Sequence, residues 1–177
     1  TNAADAGVDP TAAVARPDGV APPDLELYDA RTESLSVDDK VDLALALEAA
    51  VMGGDPRMSG VEGADYGDSV VVSAVANTAG IRAAQRESGA GLSVYAMASD
   101  GMETQTGFGF AVGRTAHELS VERTAAEAVA RTVQLLGATK PPSGKMNVVL
   151  DPWVTAQFIG VIAEMLSGEE VRKGRTP

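Results

Sequence analysis

The sequence predicts an α+β fold in which an antiparallel β meander packs against helices, followed by a strand–helix unit. Three observations support this prediction. Between Arg57 and Arg114 the apolar residues alternate with a period of about two, as in half-buried strands. Turn residues interrupt this segment at regular spacing. Segments with helical signals lie on both sides of it, and the apolar fraction of 45% is ordinary for a globular protein.

The N-terminal part divides into a linker and a helix. Residues 1–23 are rich in Ala, Asp, Pro and Gly, which predicts a linker or a loosely ordered segment. The hydroxyl of Ser36 is suited to cap a helix, and two aspartates follow in the first turn, where negative charge suits the helix dipole. We therefore predict a helix from Val37 to Met52 that ends before Gly53.

The central segment is predicted to contain five short strands joined by turns at 66–68, 77–80 and 89–91. Asp100-Gly101 is the strongest hairpin signal, because a two-residue type I′ turn needs the positive φ that Asp and Gly tolerate. The candidate strands are Met58–Asp65, Ser69–Ala76, Ile81–Glu87, Leu92–Ser99 and Met102–Val112.

The last of these strands has one bulky face and one nearly bare face. Phe108 and Phe110 lie on the bulky face with the other even-numbered residues, whereas Gly107, Gly109 and Ala111 lie on the other. A bare face suits the close approach of another backbone or of a ligand.

Two further helices are predicted. Ser120 caps the first, which has an apolar stripe at helical spacing as far as Leu136 before Gly137 ends it. The second follows a short apolar strand, Met146–Leu150. Asp151 and Pro152 are its cap and first residue, and it reaches about Leu166 before Gly168 stops it and a polar tail follows. The chain thus divides into the linker, an α+β portion over 24–145 and a strand–helix connection over 146–177.

Composition excludes several classes of site. The chain has 177 residues, no Cys, one His and a net charge of −11. Disulfide frameworks, thiolate metal sites and multi-His metal cages need residues that are missing. A pI near 4.4 disfavours direct binding to nucleic acid. No apolar run approaches the roughly 18 residues that span a bilayer, so we expect a cytoplasmic protein without a membrane partner.

Few local segments match known catalytic motifs. Gly144-Lys145 lacks the remainder of a phosphate-binding loop. His117-Glu118 resembles the first two residues of a metallopeptidase helix motif, but the chain has no second His. We therefore interpret His117 as an exposed loop residue. Asp65 and Asp68 are candidates for acid–base chemistry or Ca²⁺ binding, but chance pairs are expected among 25 acidic residues, and solvated turn charges are the better interpretation.

Several short segments, in order, resemble one known family. The most specific is Val148-Val149-Leu150-Asp151-Pro152, continued by Leu166-Ser167-Gly168-Glu169-Glu170-Val171. The others are Asp65-Tyr66-Gly67-Asp68-Ser69, Ala76-Asn77-Thr78-Ala79-Gly80-Ile81, Gly113-Arg114 and Ala125 to Ala138 ahead of a Pro-Ser-Gly-Lys loop. Together they resemble the TldD/PmbA family, whose members are labelled as candidate modulators of DNA gyrase and are related to metal-dependent peptidases.

The resemblance implies an assembly of two related subunits, one of which carries an H-E-x-x-x-H helix with metal ligands and a catalytic Glu. The comparable stretch here is Gly160-Val161-Ile162-Ala163-Glu164-Met165, which has neither His nor the catalytic Glu. The chain therefore resembles the PmbA type, also called TldE, the non-catalytic partner. No catalytic, cofactor or metal residue is expected in it, and any metal is expected only in a partner subunit. The family also implies that the chain is an internal fragment of a longer protein, in which the strand–helix unit leads to a missing C-terminal domain.

Our leading hypothesis is thus a fragment of a subunit that supports a peptidase assembly, which processes or degrades peptides. Its partner is a TldD-like H-E-x-x-x-H subunit or a second copy of itself. The predicted contact surface or channel wall is formed by Gly107, Gly109, Phe158, Gly160 and Met165. The alternative for these residues is a place in the core of the intact subunit. A second hypothesis is a protein-binding regulator associated with gyrase; a third, an independent carboxylate hydrolase, has no supporting spacing.

Overall fold

A computed structural model describes residues 14–21 and 23–176. Pro17–Lys140 form one compact unit, and the described part of a second unit covers 14–16 and 141–176. The predicted linker lies mostly outside the described residues, and its described residues contain no helix or strand. The first unit contains α1 (Val37–Met52), β1 (Met58–Ala76), β2 (Arg82–Ser99), β3 (Thr104–Gly113) and α2 (Val121–Val133), with 3₁₀ turns at Ala30–Ser34 and Ala116–Glu118. The second contains α3 (Pro152–Met165) and α4 (Gly168–Arg172).

The first helix has the predicted bounds. Ser36 and Asp39 form a capping box, in which the Ser36 hydroxyl accepts a hydrogen bond from the Asp39 N–H and the Asp39 carboxylate accepts one from the Ser36 N–H, both at 3.1 Å. At the other end the Gly53 N–H donates to the Ala49 carbonyl. Local capping therefore fixes both ends of α1.

The sheet is an antiparallel meander in the order β1-β2-β3, which confirms the predicted fold class. It has three long strands where five short ones were predicted, and the turns at 66–68 and 89–91 are wrong. Those residues lie within strands: residues 66–69 pair with residues 89–92, with Gly67 opposite Gly91. Each strand thus carries its glycine at the same position in the ladder. The ladder of hydrogen bonds continues through this pair because glycine adopts extended backbone on both strands.

The hairpin at Asp100-Gly101 is confirmed, but its loop has four residues, 100–103, because Ser99 pairs with Thr104. The Asp100 carboxylate accepts hydrogen bonds from the N–H groups of Met102 and Glu103 at 2.9 and 3.0 Å, and Gly101 has φ +90°. Met102 was predicted to begin the strand. Instead it lies in this loop, where its side chain is 96% exposed.

β2 and β1 continue together past the end of β3. β3 pairs only with Ala90–Ser99 of β2, so residues 69–89 form a two-stranded extension, which we call the arm. Its tip is the predicted turn, where the Asn77 side chain accepts hydrogen bonds from the N–H groups of Ala79 and Ile81 and Gly80 has φ +103°. Among the residues that the structure describes, the arm therefore has β1 on one side of β2 and no strand on the other.

Both long helices of this unit cover one face of the three-stranded sheet. Leu92 and Val94 of β2 point towards them and are almost fully buried. Leu47 and Val51 of α1 and Ala128 of α2 complete the same core cluster. The buried side chains are small or aliphatic, as the scarcity of aromatic residues predicts. α2 begins at its predicted cap, since the Ser120 hydroxyl accepts a hydrogen bond from the Arg123 N–H at 3.1 Å.

The second unit differs in part from its prediction. The helix begins as expected, with Asp151 as cap, accepting from the Trp153 N–H at 2.8 Å, and Pro152 as first residue. The preceding segment 146–150 is not a strand, because a strand needs a partner and none pairs with it among residues 14–21 and 23–176. Gly168 does not lead into a plain tail but begins α4, capped by Ser167. No helix in the described part of the chain is long and apolar enough to cross a membrane.

One polar cluster links α1 to the sheet. The Lys40 ammonium lies 2.9 and 2.7 Å from the two carboxylate oxygens of Asp68, and the Tyr66 hydroxyl donates to the same carboxylate at 3.0 Å. Burial, and then the hydrogen bond to Asp68 and its charge, raise the pKa of Tyr66 to about 12. In the folded protein, Tyr66 therefore stays protonated at pH values at which an ordinary tyrosine loses its proton.

We predict a loss of stability at high pH that depends on this hydroxyl. Because the pKa of Tyr66 is higher in the folded than in the unfolded chain, its contribution is complete below the unfolded value of about 10 and is lost as pH rises through about 12. Urea unfolding across this range should show the free energy of unfolding falling more steeply for wild type than for Tyr66→Phe. Both proteins keep the ion pair between Lys40 and Asp68, so parallel curves would contradict the prediction.

Candidate functional site

The residues predicted as a contact surface belong to different compact units. Gly107 and Gly109 lie on β3, and Phe158, Gly160 and Met165 lie on α3. The bare face of β3 packs directly against α2: a Cβ built on Gly107 would lie 2.7 Å from the Thr132 backbone nitrogen. The close approach expected of this face is therefore made by a helix of the same chain.

Gly109 is packed more tightly than Gly107. A Cβ at this position would clash with the Thr124 carbonyl oxygen and lie 3.1 Å from the Ala128 nitrogen. α2 presents small residues at this contact, and the hydroxyls of Thr124 and Thr132 donate back to the carbonyls of Ser120 and Ala128 at 2.8 and 2.6 Å. Because these hydroxyls are satisfied within the helix, they can be buried against the sheet. Packing within the chain accounts for both glycines, and the surface proposed below does not include them.

The outer edge of β3 is covered by a side chain from α2. The Arg131 guanidinium donates to the Phe108 carbonyl at 3.2 Å and lies 4.9 Å from the centre of the Phe108 ring. A 3.5 Å ion pair with Glu127 helps to hold it there. This arginine occupies part of the edge that another strand would need.

The helix α3 has a different character, since apolar side chains occur all around it. Phe158 is 58% exposed and Met165 is 42% exposed. Gly160 is also exposed, and a Cβ built there would meet nothing within 4 Å. A helix that is apolar on every side is characteristic of a buried position. α3 therefore offers apolar surface with a small residue at its centre.

The isolated polar candidates do not assemble into a catalytic site. Asp65 and Asp68 are on opposite faces of β1, because Asp68 faces Lys40 on the helix side and strand side chains alternate. His117 lies in an exposed 3₁₀ turn, as expected. Within the part of the chain that the structure describes, no group of three or more His, Cys, Asp or Glu side chains could hold a metal ion.

The sequence reasoning missed a groove of about 790 Å³ beside the arm. One wall is the segment 23–27, and the other consists of residues 73–75 and 82–86 of the arm. A signal was present in Asp24-Leu25-Glu26-Leu27, which alternates polar and apolar residues with the period of a strand.

We predict that the β3 glycines are required for stability. Gly109→Ala should lower the free energy of unfolding by about 2 kcal/mol, because α2 must move away from the sheet to admit the methyl group. Gly67→Ala is the matched control, since a Cβ there meets nothing within 4 Å on an equally extended strand. Urea denaturation of both variants measures the difference. Equal stabilities would show that the contact between α2 and β3 is loose.

Comparison with known proteins identifies relatives of this fold. Residues 30–136 match the family model described as the PmbA/TldA metallopeptidase central domain. A proposed modulator of DNA gyrase from Bacteroides thetaiotaomicron is 26% identical with a TM-score of 0.78, covering 94% of this chain and 37% of its own. A proposed modulator of a DNA gyrase from Thermotoga maritima is 29% identical with a TM-score of 0.63, covering 69% of this chain and 28% of its own.

A third solved structure shares the fold at lower sequence identity. TldE from Thermococcus kodakarensis is 19% identical with a TM-score of 0.61, covering 75% of this chain and 30% of its own. No curated protein matches the chain significantly. The chain spans about a third of the length of the solved structures it resembles. Since the family model covers more than half of the sequence, the chain belongs to the PmbA/TldD family.

Proposed function

We propose that this chain is part of a non-catalytic, PmbA/TldE-type subunit that assembles with a TldD-like H-E-x-x-x-H subunit to process or degrade peptides in the cytoplasm. The observation that carries the proposal is the sequence of α3. Where the resemblance places the metal-binding helix, this chain has Gly160-Val161-Ile162-Ala163-Glu164-Met165. The similarity in fold to TldE agrees with this role.

The side chains of α3 do not fit a metal centre. Glu164 is the one carboxylate among residues 152–165, and a protein zinc site needs three or four N, O or S ligands. His117, the single His of the sequence, lies on the first unit rather than on this helix. In the proposed assembly, the metal and the hydrolytic step therefore belong to the partner subunit.

The same helix is the proposed contact surface. Phe158 and Met165 supply exposed apolar side chains, and Gly160 between them allows a neighbouring backbone to come close. Burying an exposed aromatic side chain is the kind of contact that dominates stable interfaces. Burial of this surface would stabilise a complex with either an H-E-x-x-x-H subunit or a second copy of this chain.

We predict that Phe158→Glu weakens association with an H-E-x-x-x-H homologue from the same genome by at least about tenfold, because a charge replaces a ring that the proposed interface would bury. Gln157→Glu is the matched control, since it adds the same carboxylate to the adjacent exposed position of α3. Dissociation constants of the full-length proteins, measured by titration calorimetry, compare the two variants.

Three outcomes would count against the proposal. Equal affinities for Phe158→Glu and Gln157→Glu would remove α3 from the interface. Thermal unfolding of the isolated subunit supplies the second test. If Phe158→Glu or Gly160→Leu prevents folding without any partner, then α3 lies in the core of the subunit. Failure of wild type to bind the homologue would overturn the assembly itself.

The second candidate function is regulation of DNA gyrase by direct protein binding. It is favoured by the two similar structures described as proposed gyrase modulators. A net charge of −11 makes contact with a protein easier than contact with DNA. A supercoiling assay with purified gyrase, with and without the full-length subunit, distinguishes the two functions. A change in supercoiling rate in the absence of the homologue would favour regulation.

A further inference from the structure

Residues 23–28 run beside the side of the arm that carries no strand. At the tip, Pro17 lies against the turn, with its Cγ 3.8 Å from a Cβ built on Gly80. At the base, the Ser88 N–H donates to the Leu27 carbonyl at 3.0 Å, and the Asp29 N–H donates to the Ser88 hydroxyl at 2.9 Å. The segment therefore follows β2 from tip to base in the same direction.

Between these two ends the edge of β2 is open. Successive strand residues direct their backbone groups to alternate sides, so Ala84 and Arg86 point the same way as Ser88, towards the segment. Neither N–H donates to a backbone carbonyl of residues 23–27. The groove of about 790 Å³ is lined by residues 23–27 on one side and by residues 73–75 and 82–86 of the arm on the other. One hydrogen bond of a parallel ladder, from Ser88 to Leu27, is thus formed, and the corresponding bonds from Arg86 and Ala84 are not.

The sequence of the segment fits that ladder. Continuing from the existing bond in steps of two residues, the Arg86 N–H would donate to the Leu25 carbonyl, and the Leu27 N–H would donate to the Arg86 carbonyl. Pro23 lacks an N–H and would end the pairing, as proline does in strands. The alternation of Asp24-Leu25-Glu26-Leu27 is that of a strand with one polar face.

Charge on the two strands is complementary. In this register Glu26 lies opposite Arg86 and Asp24 lies between Arg82 and Arg86, all on one face. At the base of the arm, Arg86 already makes contacts of this kind. Its guanidinium lies 3.9 Å from the Tyr28 ring centre and 2.8 Å from the Glu33 carboxylate. The remaining acidic groups would extend the same cluster towards the tip.

A single backbone torsion interrupts the strand. Glu26 has φ +46°, in the left-handed region, and is the one non-glycine residue with positive φ among those described. The Asp24 carboxylate accepts a hydrogen bond from the Glu26 N–H at 3.3 Å within this bend. Left-handed backbone is unfavourable for a residue with a Cβ, so the bend carries a cost that an extended Glu26 would not.

We propose that residues 23–28 close onto β2 as a fourth, parallel strand, with Glu26 as the hinge between the open form and the closed form. Closing turns Glu26 from left-handed to extended backbone, satisfies the N–H of Arg86 and brings two carboxylates to the two arginines of the arm. The open form leaves an edge of the sheet free. The proposal does not depend on the assembly described above.

The test is backbone hydrogen exchange in the full-length protein carrying Glu26→Val or Glu26→Gly. Both variants remove the carboxylate, but valine disfavours the left-handed conformation and glycine tolerates it. We expect exchange at Arg86 to be about tenfold slower in Glu26→Val than in Glu26→Gly. Gln85 is the internal reference, because its N–H points towards Ser73 of β1 and is bonded in both forms.

The deciding quantity is the Arg86 exchange rate divided by the Gln85 rate, which corrects for any general loosening of the arm. A ratio about tenfold lower in Glu26→Val supports the closing strand. A ratio that is the same in both variants, or higher in Glu26→Val, overturns it.

Discussion

The contact between the glycines of β3 and the backbone of α2 is the constraint on which the rest of this domain depends. Gly107 and Gly109 have no side chain to hold the helix away, so α2 lies with backbone atoms of Thr124, Ala128 and Thr132 directly on the strand. At this separation only small side chains fit between the layers. The core is accordingly made from alanines and aliphatic residues, and few aromatic residues are needed to fill it.

Features that depend on neighbours in sequence could be predicted, and features that depend on pairing could not. The bounds of α1 follow from the Ser36 cap and Gly53, which act within one turn of the helix. The five-strand prediction failed because Gly67 and Gly91 each look like a turn when read alone. Whether a glycine ends a strand depends on what lies opposite, and here another glycine lets the ladder continue.

The same distinction applies to the candidate site. The bare face of β3 could be identified from alternation alone, but nothing local indicates that α2, rather than another molecule, covers it. The exposed apolar surface of α3 could be expected from composition, and the structure leaves Phe158 and Met165 exposed. The groove beside the arm was missed because its walls, residues 23–27 and 82–86, are far apart in sequence.

The facing pair Gly67 and Gly91 also has a mechanical consequence. It lies just before the arm begins, and neither residue has a side chain to resist a change in the pleat of the sheet. Sheets bend most easily at such positions, since glycine adds little stiffness and no packing. The arm is therefore attached next to a pair of glycines at which the sheet bends easily. Bending stress on the tip would concentrate there, and the helix-covered half of the sheet would keep its shape.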